Sequence, residues 1–198
     1  MKHFATSDTH FGHKNIIRYC NRPFDTVDAM NEHMIMRWNS VVEDDDVVWF
    51  LGDFAFMKPQ EAFAIFSRLR GQINIVPGNH DEKILELWNG PMLPDYWPDR
   101  IKILEPLVHV KIGQRPFVLC HYPVEDWAGM YWPTTKGGNE PQQPTMRNAA
   151  MLHGHCHGNR PNTTWRFDVG VDVYGRPVRI TDDLDQLRSK SVGWTVLK

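Results

Sequence analysis

The sequence predicts an α/β fold with an at least partly parallel sheet, and two observations support that expectation. Short apolar, partly β-branched runs ending in polar or glycine residues recur at KHFATSD, DDVVWFLGD and QINIVPGNHD. This is the pattern of buried strands that deliver loops at their C-terminal ends. Helical patterns lie between these runs, and strand–helix–strand alternation implies βαβ units.

After the first strand, KNIIRYCN reads as a short helix that Pro23 brings to an end. Val27, Met30, Met34, Trp38 and Val41 follow at three-to-four spacing, with Asp25 or Thr26 as N-cap. The next helix runs from Lys58 to Leu69, with Pro59 in its first turn and Gly71 just past its end. In the second half, IKILEPLVHVKIG and RPFVLCHYP suggest adjacent strands around a turn near Gly113. TWRFDVGVDVYGRPVRI suggests a further extended region, and a short helix from about Asp182 to Lys190 closes the chain. A second, mixed sheet follows from these runs. With no internal repeat, low-complexity tract or linker, residues 1–198 are expected to form a single domain.

Composition excludes several classes. The 198 residues are 41% hydrophobic, and no apolar run approaches the roughly 20 residues needed to cross a bilayer. The opening MKHFATSD lacks the layout of a secretory leader, so a soluble cytoplasmic protein is expected. Cys20, Cys120 and Cys156 form no CxxC pair, which argues against a disulfide framework and a cysteine-zinc site. Lys and Arg number 22 against 24 Asp and Glu, a net charge of -2. General duplex nucleic-acid binding, which needs a broad basic face, is not expected. A small phosphorylated substrate drawn by a local positive site remains compatible with that charge.

The stretch LHGHCHG alternates histidines at His153, His155 and His157. In an extended segment, side chains two apart point the same way, so His155 and His157 would face one point and Cys156 the other side. A single histidine is more often structural than a ligand. Three at this spacing, between Gly154 and Gly158, point towards a metal whose other ligands come from elsewhere. The strand ends supply candidates: Asp8-Thr9-His10, Gly52-Asp53, Gly78-Asn79-His80-Asp81 and His121. Each fragment is weak alone. Five in order, each at the end of an apolar run, form a strong signal.

Between Asp8 and His157 these fragments resemble the ordered motifs DxH, GDxx, GNH[DE], H and GHxH of the calcineurin-like metallophosphoesterase superfamily. SDTHFGHKNII and DVGVD are also similar to short bacterial and phage members. The resemblance implies a two-sheet α-β-β-α sandwich with a metal site at strand C-terminal ends, and a metal-dependent phosphoric ester hydrolase. It implies that Asp8, His10, Asp53 and His157 hold one metal, and that Asp53, Asn79, His121 and His155 hold a second, with Asp53 bridging. Mixed oxygen and imidazole donors suit Mn first, with Fe, Ni, Co or Zn as alternatives, and the lack of thiolates argues against a structural zinc. Two divalent ions against two carboxylates leave a local charge of about +2. The implied mechanism is attack by a metal-bridging hydroxide. The resemblance further implies that His80 acts as general acid, with Asp81 orienting its imidazole. His153 is left over as structural.

Other residues stand outside the ligand set. His13 is expected to touch phosphate. Lys14, Arg18 and Arg22 form a basic stripe beside the site if the helix continues through Arg22; the alternative is a solvated face. Asp168 and Asp172 either orient metal-binding histidines or cap strand ends. His3, His33, His109 and Cys156 are read as structural. An inserted loop at about 125–148 carries Trp127, Tyr131 and Trp132. Loops beyond about 12–15 residues are usually functional or disordered. We read this one as a lid whose Trp127 and Trp132 stack on a substrate base; packing on the domain's own surface is the alternative. The expected activity is hydrolysis of a phosphodiester, possibly a nucleotide or cyclic nucleotide. A phosphomonoesterase or protein phosphatase is the alternative. A non-catalytic scaffold would need neither His80 nor a full ligand set, and oligomeric state is not legible.

Overall fold

The structure, a computed structural model, describes residues 1–88, 100–125, 149–181, 187 and 194. The chain opens with strand β1 (His3–Thr6), helix α1 (Lys14–Tyr19) and helix α2 (Val27–Asn39). It continues through β2 (Val47–Phe50), α3 (Pro59–Phe66), β3 (Gln72–Ile75), α4 (Glu82–Trp88) and β4 (Ile101–Ile103). Then come β5 (Leu107–Ile112), β6 (Arg115–Cys120), β7 (Ala150–His153), β8 (Arg166–Asp168), the one-turn α5 (Val171–Tyr174) and β9 (Val178–Ile180).

Two sheets result. The first has the order β4-β3-β2-β1-β9. Its first four strands are parallel, with Phe4 opposite Val48, Val48 opposite Ile73 and Ile73 opposite Ile101. β9 joins β1 antiparallel. The second sheet has the order β5-β6-β7-β8, antiparallel at β5–β6 and parallel from β6 to β8.

Alternation along each strand sorts the core into layers. Phe4, Val48, Phe50, Ile73 and Ile75 pack with Met30, Met34 and Trp38 of α2 and with Ala62, Ile65 and Phe66 of α3. Ala5, on the opposite face of β1, joins Phe117, Leu119, Leu152 and Phe167 in the core between the sheets. Val118, Cys120 and Met151 point outward from the second sheet into a third cluster.

Local sequence explains the boundaries. Thr26 caps α2 by accepting from the Ala29 N–H at 3.1 Å. α3 starts at Pro59 and ends at Phe66, short of Leu69, and Gly71 (φ 95°) turns the chain into β3. IKILEPLVHVKIG divides between the sheets, β4 in the first and β5 in the second. The expected turn near Gly113 forms, with Ile112 opposite Arg115. The extended run expected over DVGVD is interrupted by α5, so β8 and β9 also lie in different sheets. Apart from Leu187, the helix expected from Asp182 to Lys190 lies outside the described residues, as does the loop from 126 to 148.

This topology sets the site. β1, β2 and β3 end on one side of the first sheet, β6 and β7 on the corresponding side of the second. The crevice beyond strand C-termini is where α/β sheets bind ligands. The rims of the sheets are sewn together there by the bridge of Ser7 to Gly170, while Gly154 N–H donates to His121 O at 3.0 Å within the second sheet.

Candidate metal centre

The loops after these strands hold an unusual backbone. Among the described residues, six non-glycine residues have positive φ, and five of them are Asp8 (58°), His10 (49°), Asp53 (61°), His155 (67°) and His157 (49°). A left-handed non-glycine residue costs on the order of 1–3 kcal/mol and persists only where its surroundings enforce it. Here the enforcement is hydrogen bonding between loops. Asp8 N–H donates to Gly52 O at 3.0 Å and His10 N–H to Asp53 O at 3.1 Å. His155 N–H donates to both carboxylate oxygens of Asp8 at 3.0 Å. His80 N–H donates to Asp53 Oδ1 at 2.9 Å.

The expected extended conformation of LHGHCHG is corrected. The strand stops at His153, because His155 and His157 are both left-handed. The turn sends the two imidazoles to separate groups. Asp8, His10 and His157 form one set of potential ligand atoms, and Asp53, His121 and His155 another, each within 4.8 Å internally. Asp53 Oδ2 joins them, at 3.6 Å from His10 Nε2 and 3.4 Å from His121 Nε2. Asn79 Oδ1 stands 3.1 Å from His121 Nε2. All seven residues that the motifs single out therefore converge on one place.

The hydrogen-bond chemistry fits a cation. Both ring nitrogens of His10 are buried with no hydrogen-bond partner among the described residues, an arrangement proteins normally avoid. His121 Nδ1 lies 2.7 Å from Leu51 O. A carbonyl only accepts, so that nitrogen carries the proton, and Nε2 is the ring atom turned towards the other candidate ligands. Nε2 meets Asn79 Oδ1, Asp53 Oδ2 and His155 Nδ1, the last at 3.3 Å. Burial opposes a charge on His121 but Asp53 favours it and raises its pKa, so the positive charge that suits this cluster is a proton on His121 or a metal ion in its place. The mixture of carboxylate, amide and imidazole donors is the kind that first-row divalent metals take.

The surroundings tune these groups. Burial raises the Asp8 carboxyl to about 7, although nearby His157 and His121 pull it down. Burial drives His10 down to about 3, against the opposing pull of Asp53. Burial resists the charged form of Asp53, yet the hydrogen bond and charge of His121 hold its carboxyl at about 2. Burial likewise opposes protonation of His157, but hydrogen bonds to Asp172 and Cys20 and the charge of Asp8 lift it to about 10.

Of the two aspartates in DVGVD, Asp172 orients a candidate ligand, His157. Its Oδ2 accepts from His157 Nδ1 at 2.7 Å. Asp168 instead holds loop backbone, accepting from Gly158 and Gly170 N–H at 2.9 and 2.8 Å. Asp172 is in turn gripped by Arg22 through Nε and Nη2, both at 2.8 Å, and by Trp194 Nε1 at 3.1 Å. Arg22 also donates to the carbonyls of Thr9 (2.8 Å) and Asp8 (2.7 Å). The basic stripe expected from Lys14 to Arg22 is corrected: α1 ends at Tyr19, Asn21 turns left-handed (φ 49°), and Arg22 points into the core, 3% exposed. Arg18 stays at the surface over the Tyr19 ring. Cys20 lies near His157 and Asp172, but Asp172 is already engaged by Arg22 and His157.

Asp81 does not orient His80. Its carboxylate accepts from three backbone N–H groups, Asp53 and Gly78 at 2.8 Å and Phe54 at 2.9 Å. It therefore clamps the β2 and β3 loops together. His80 is exposed at the rim, its ring 5.6 Å from that of His10. His13 is beside the site too, stacked on Phe56 at 4.3 Å and 18°. Phe56, absent from the sequence reading, also meets His80 edge-on at 4.9 Å. A cleft of about 450 Å³ opens there, lined by Phe56, Met57, Lys58, Asn79, His80 and Lys83 among others. His153 is buried and turns Nδ1 to the Gly154 carbonyl at 2.9 Å. Trp127 and Trp132 lie outside the described residues.

Close packing makes the site sensitive to a single methyl group. A Cβ on Gly154 would sit 2.5 Å from both Asp8 Oδ2 and Ser7 Oγ. Gly154→Ala is expected to displace the Asp8 carboxylate, weakening metal retention and lowering Tm by a few degrees. Metal content by mass spectrometry alongside thermal melting checks this. Unchanged values for both would show that the carboxylate has room to move.

The comparisons with known proteins agree with this architecture. The sequence matches the calcineurin-like phosphoesterase superfamily domain over residues 1–169. The chain belongs to that superfamily. An uncharacterized protein of Methanocaldococcus jannaschii is 48% identical over 83 residues, 41% of this chain and 47% of that protein; the chain thus spans about half the length of that relative. The gene 66 protein of Mycobacterium phage L5 is 26% identical over 190 residues, covering 87% of each chain. A solved structure of a protein of unknown function from Aquifex aeolicus superposes with TM-score 0.59 at 21% identity, over 90% of this chain and 95% of that one. This likeness extends the shared fold to nearly the whole length. The chain thus carries the phosphoesterase domain of that superfamily. No described helix is long and apolar enough to cross a membrane.

Proposed function

We propose that this chain hydrolyses a small phosphodiester, nucleotide-like in its organic part, with two divalent ions, Mn²⁺ foremost. The observation behind the two-ion reading is Asp53 Oδ2, placed between His10 of one ligand set and His121 of the other. Asp8, His10, Asp53 and His157 would hold one ion, and Asp53, Asn79, His121 and His155 the second. Ions bound there acidify water and screen the charge of phosphoryl oxygens.

The chain's own residues supply the rest. His80 stands where the ligand cluster meets the cleft, so its imidazole donates a proton to the departing ester oxygen. The His80 N–H bond to Asp53 Oδ1 fixes the distance between acid and ligand cluster. The open space beside His80 accommodates a second ester substituent, which favours a diester over a monoester. Cys20, Cys120 and Cys156 are free thiols, in keeping with a reducing, cytoplasmic compartment.

The test combines chelation with a substrate panel. Stripped protein should lose hydrolysis and regain it with Mn²⁺, Ni²⁺ or Co²⁺, acting faster on bis-p-nitrophenyl phosphate than on p-nitrophenyl phosphate. Activity surviving verified metal removal, or a strong monoester preference, would overturn the respective half of the proposal.

His80→Ala should keep its metal but lose about 10²–10⁴-fold in rate on an alkyl diester. On a p-nitrophenyl ester, whose leaving group needs little protonation, the loss should be small. Equal losses on both would make His80 a phosphate-positioning residue instead.

A further inference from the structure

The cleft beside His80 has its own chemistry. One wall comes from the loop after β2 through Phe56, Met57 and Lys58; the other comes from His80 and from Lys83 and Ile84 at the start of α4. Phe56 is 46% exposed, whereas its neighbours in the same region, Phe11 and Phe54, are fully buried. It is nevertheless held in place, stacked on His13 and met edge-on by His80. An aromatic ring fixed on one face and open on the other is a stacking platform. The cleft also holds two cations, Lys58 and Lys83, against one acid, Glu82. Neither lysine is in an ion pair among the described residues.

Position decides what the platform receives. Asn79 and His80 belong both to the cleft and to the proposed machinery, so an occupant of the cleft is continuous with the scissile phosphorus on the side His80 protonates. We propose that the cleft is the leaving-group subsite and takes a nucleoside phosphate. The base lies on Phe56, a ribose oxygen faces His80, and the nucleoside's own phosphate meets Lys58 and Lys83. This inference rests on the phosphodiesterase reading above. The bond between phosphorus and the ribose oxygen breaks, and its electron pair stays on that oxygen, which takes the proton from His80. Water gives its hydroxyl to phosphorus and its remaining proton restores His80.

The experiment uses metal-loaded protein and three dinucleotides: ApA, pApA and ApAp. One phosphorylated dinucleotide, the one whose extra phosphate lies on the departing nucleoside, should exceed ApA in kcat/KM by about tenfold. Lys58→Gln/Lys83→Gln should erase that preference. Phe56→Ala should raise KM for all three by about tenfold, within the range of one base stack. Calorimetry with adenosine 3′-phosphate and adenosine 5′-phosphate, and melting curves, accompany the kinetics. Cleavage of the dinucleotides with no change in the variants would overturn the subsite and leave the phosphodiesterase reading standing. Absence of cleavage by every form, with nucleotide binding still weakened in the variants at unchanged Tm, would sink that reading and keep the subsite.

Discussion

Asp53→Ala should be the most damaging single substitution in the protein. Its carboxylate stands between two imidazoles and also accepts the His80 N–H, so one change disturbs both ligand sets and the proposed acid. The loss of metal affinity should exceed the roughly 10–100-fold typical of partners that act through a ligand, and hydrolysis should fall with it. Bound metal per chain, counted after gel filtration, is the decisive readout. If the variant keeps two tightly held ions, Asp53 is not shared between them.

The second large effect belongs to a residue that touches no proposed substrate. Arg22→Met removes a buried guanidinium that grips Asp172 and two carbonyls of the first metal loop. Breaking one side of a buried ion pair costs about 3–5 kcal/mol. At about 2–4 °C per kcal/mol for a chain of this size, Tm should fall by roughly 6–20 °C. Released from Arg22, Asp172 would orient His157 less firmly, so metal affinity should drop as well. Arg22→Lys, which keeps the charge but not the fork, should fall between. Adding Asp172→Asn to Arg22→Met should recover part of the lost Tm, because the orphaned charge is then gone. An unchanged Tm and metal content in Arg22→Met would remove this residue from the site's support.

The convergence of the candidate ligands was readable because their signal is local: each follows an apolar run directly, and a parallel strand delivers its loop wherever it sits in the sheet. Arg22 was not readable. Its spacing from Lys14 and Arg18 looks helical, and the left-handed turn at Asn21 that sends it inward has no signature stronger than the following Pro23. The run from His153 to His157 misled in the same way, since alternation describes a strand but says nothing of where it stops. Asp81 stands next to His80 in sequence, yet its carboxylate serves three backbone amides. Partition between the sheets was also hidden: nothing in IKILEPLVHVKIG marks Glu105 and Pro106 as a crossing from one sheet to the other.

The left-handed backbone at Asp8, His10, Asp53, His155 and His157 sets thermostability against chemistry. At about 1–3 kcal/mol apiece, the five together rival the whole net stability of an ordinary domain, about 5–15 kcal/mol. Glycine or asparagine relieves that cost at each position, and both abolish an imidazole or carboxylate donor. A population selected for heat resistance alone would therefore shed these proposed metal donors early. One selected for heat resistance and hydrolysis together must find its gains elsewhere, in the helices and the inter-sheet core.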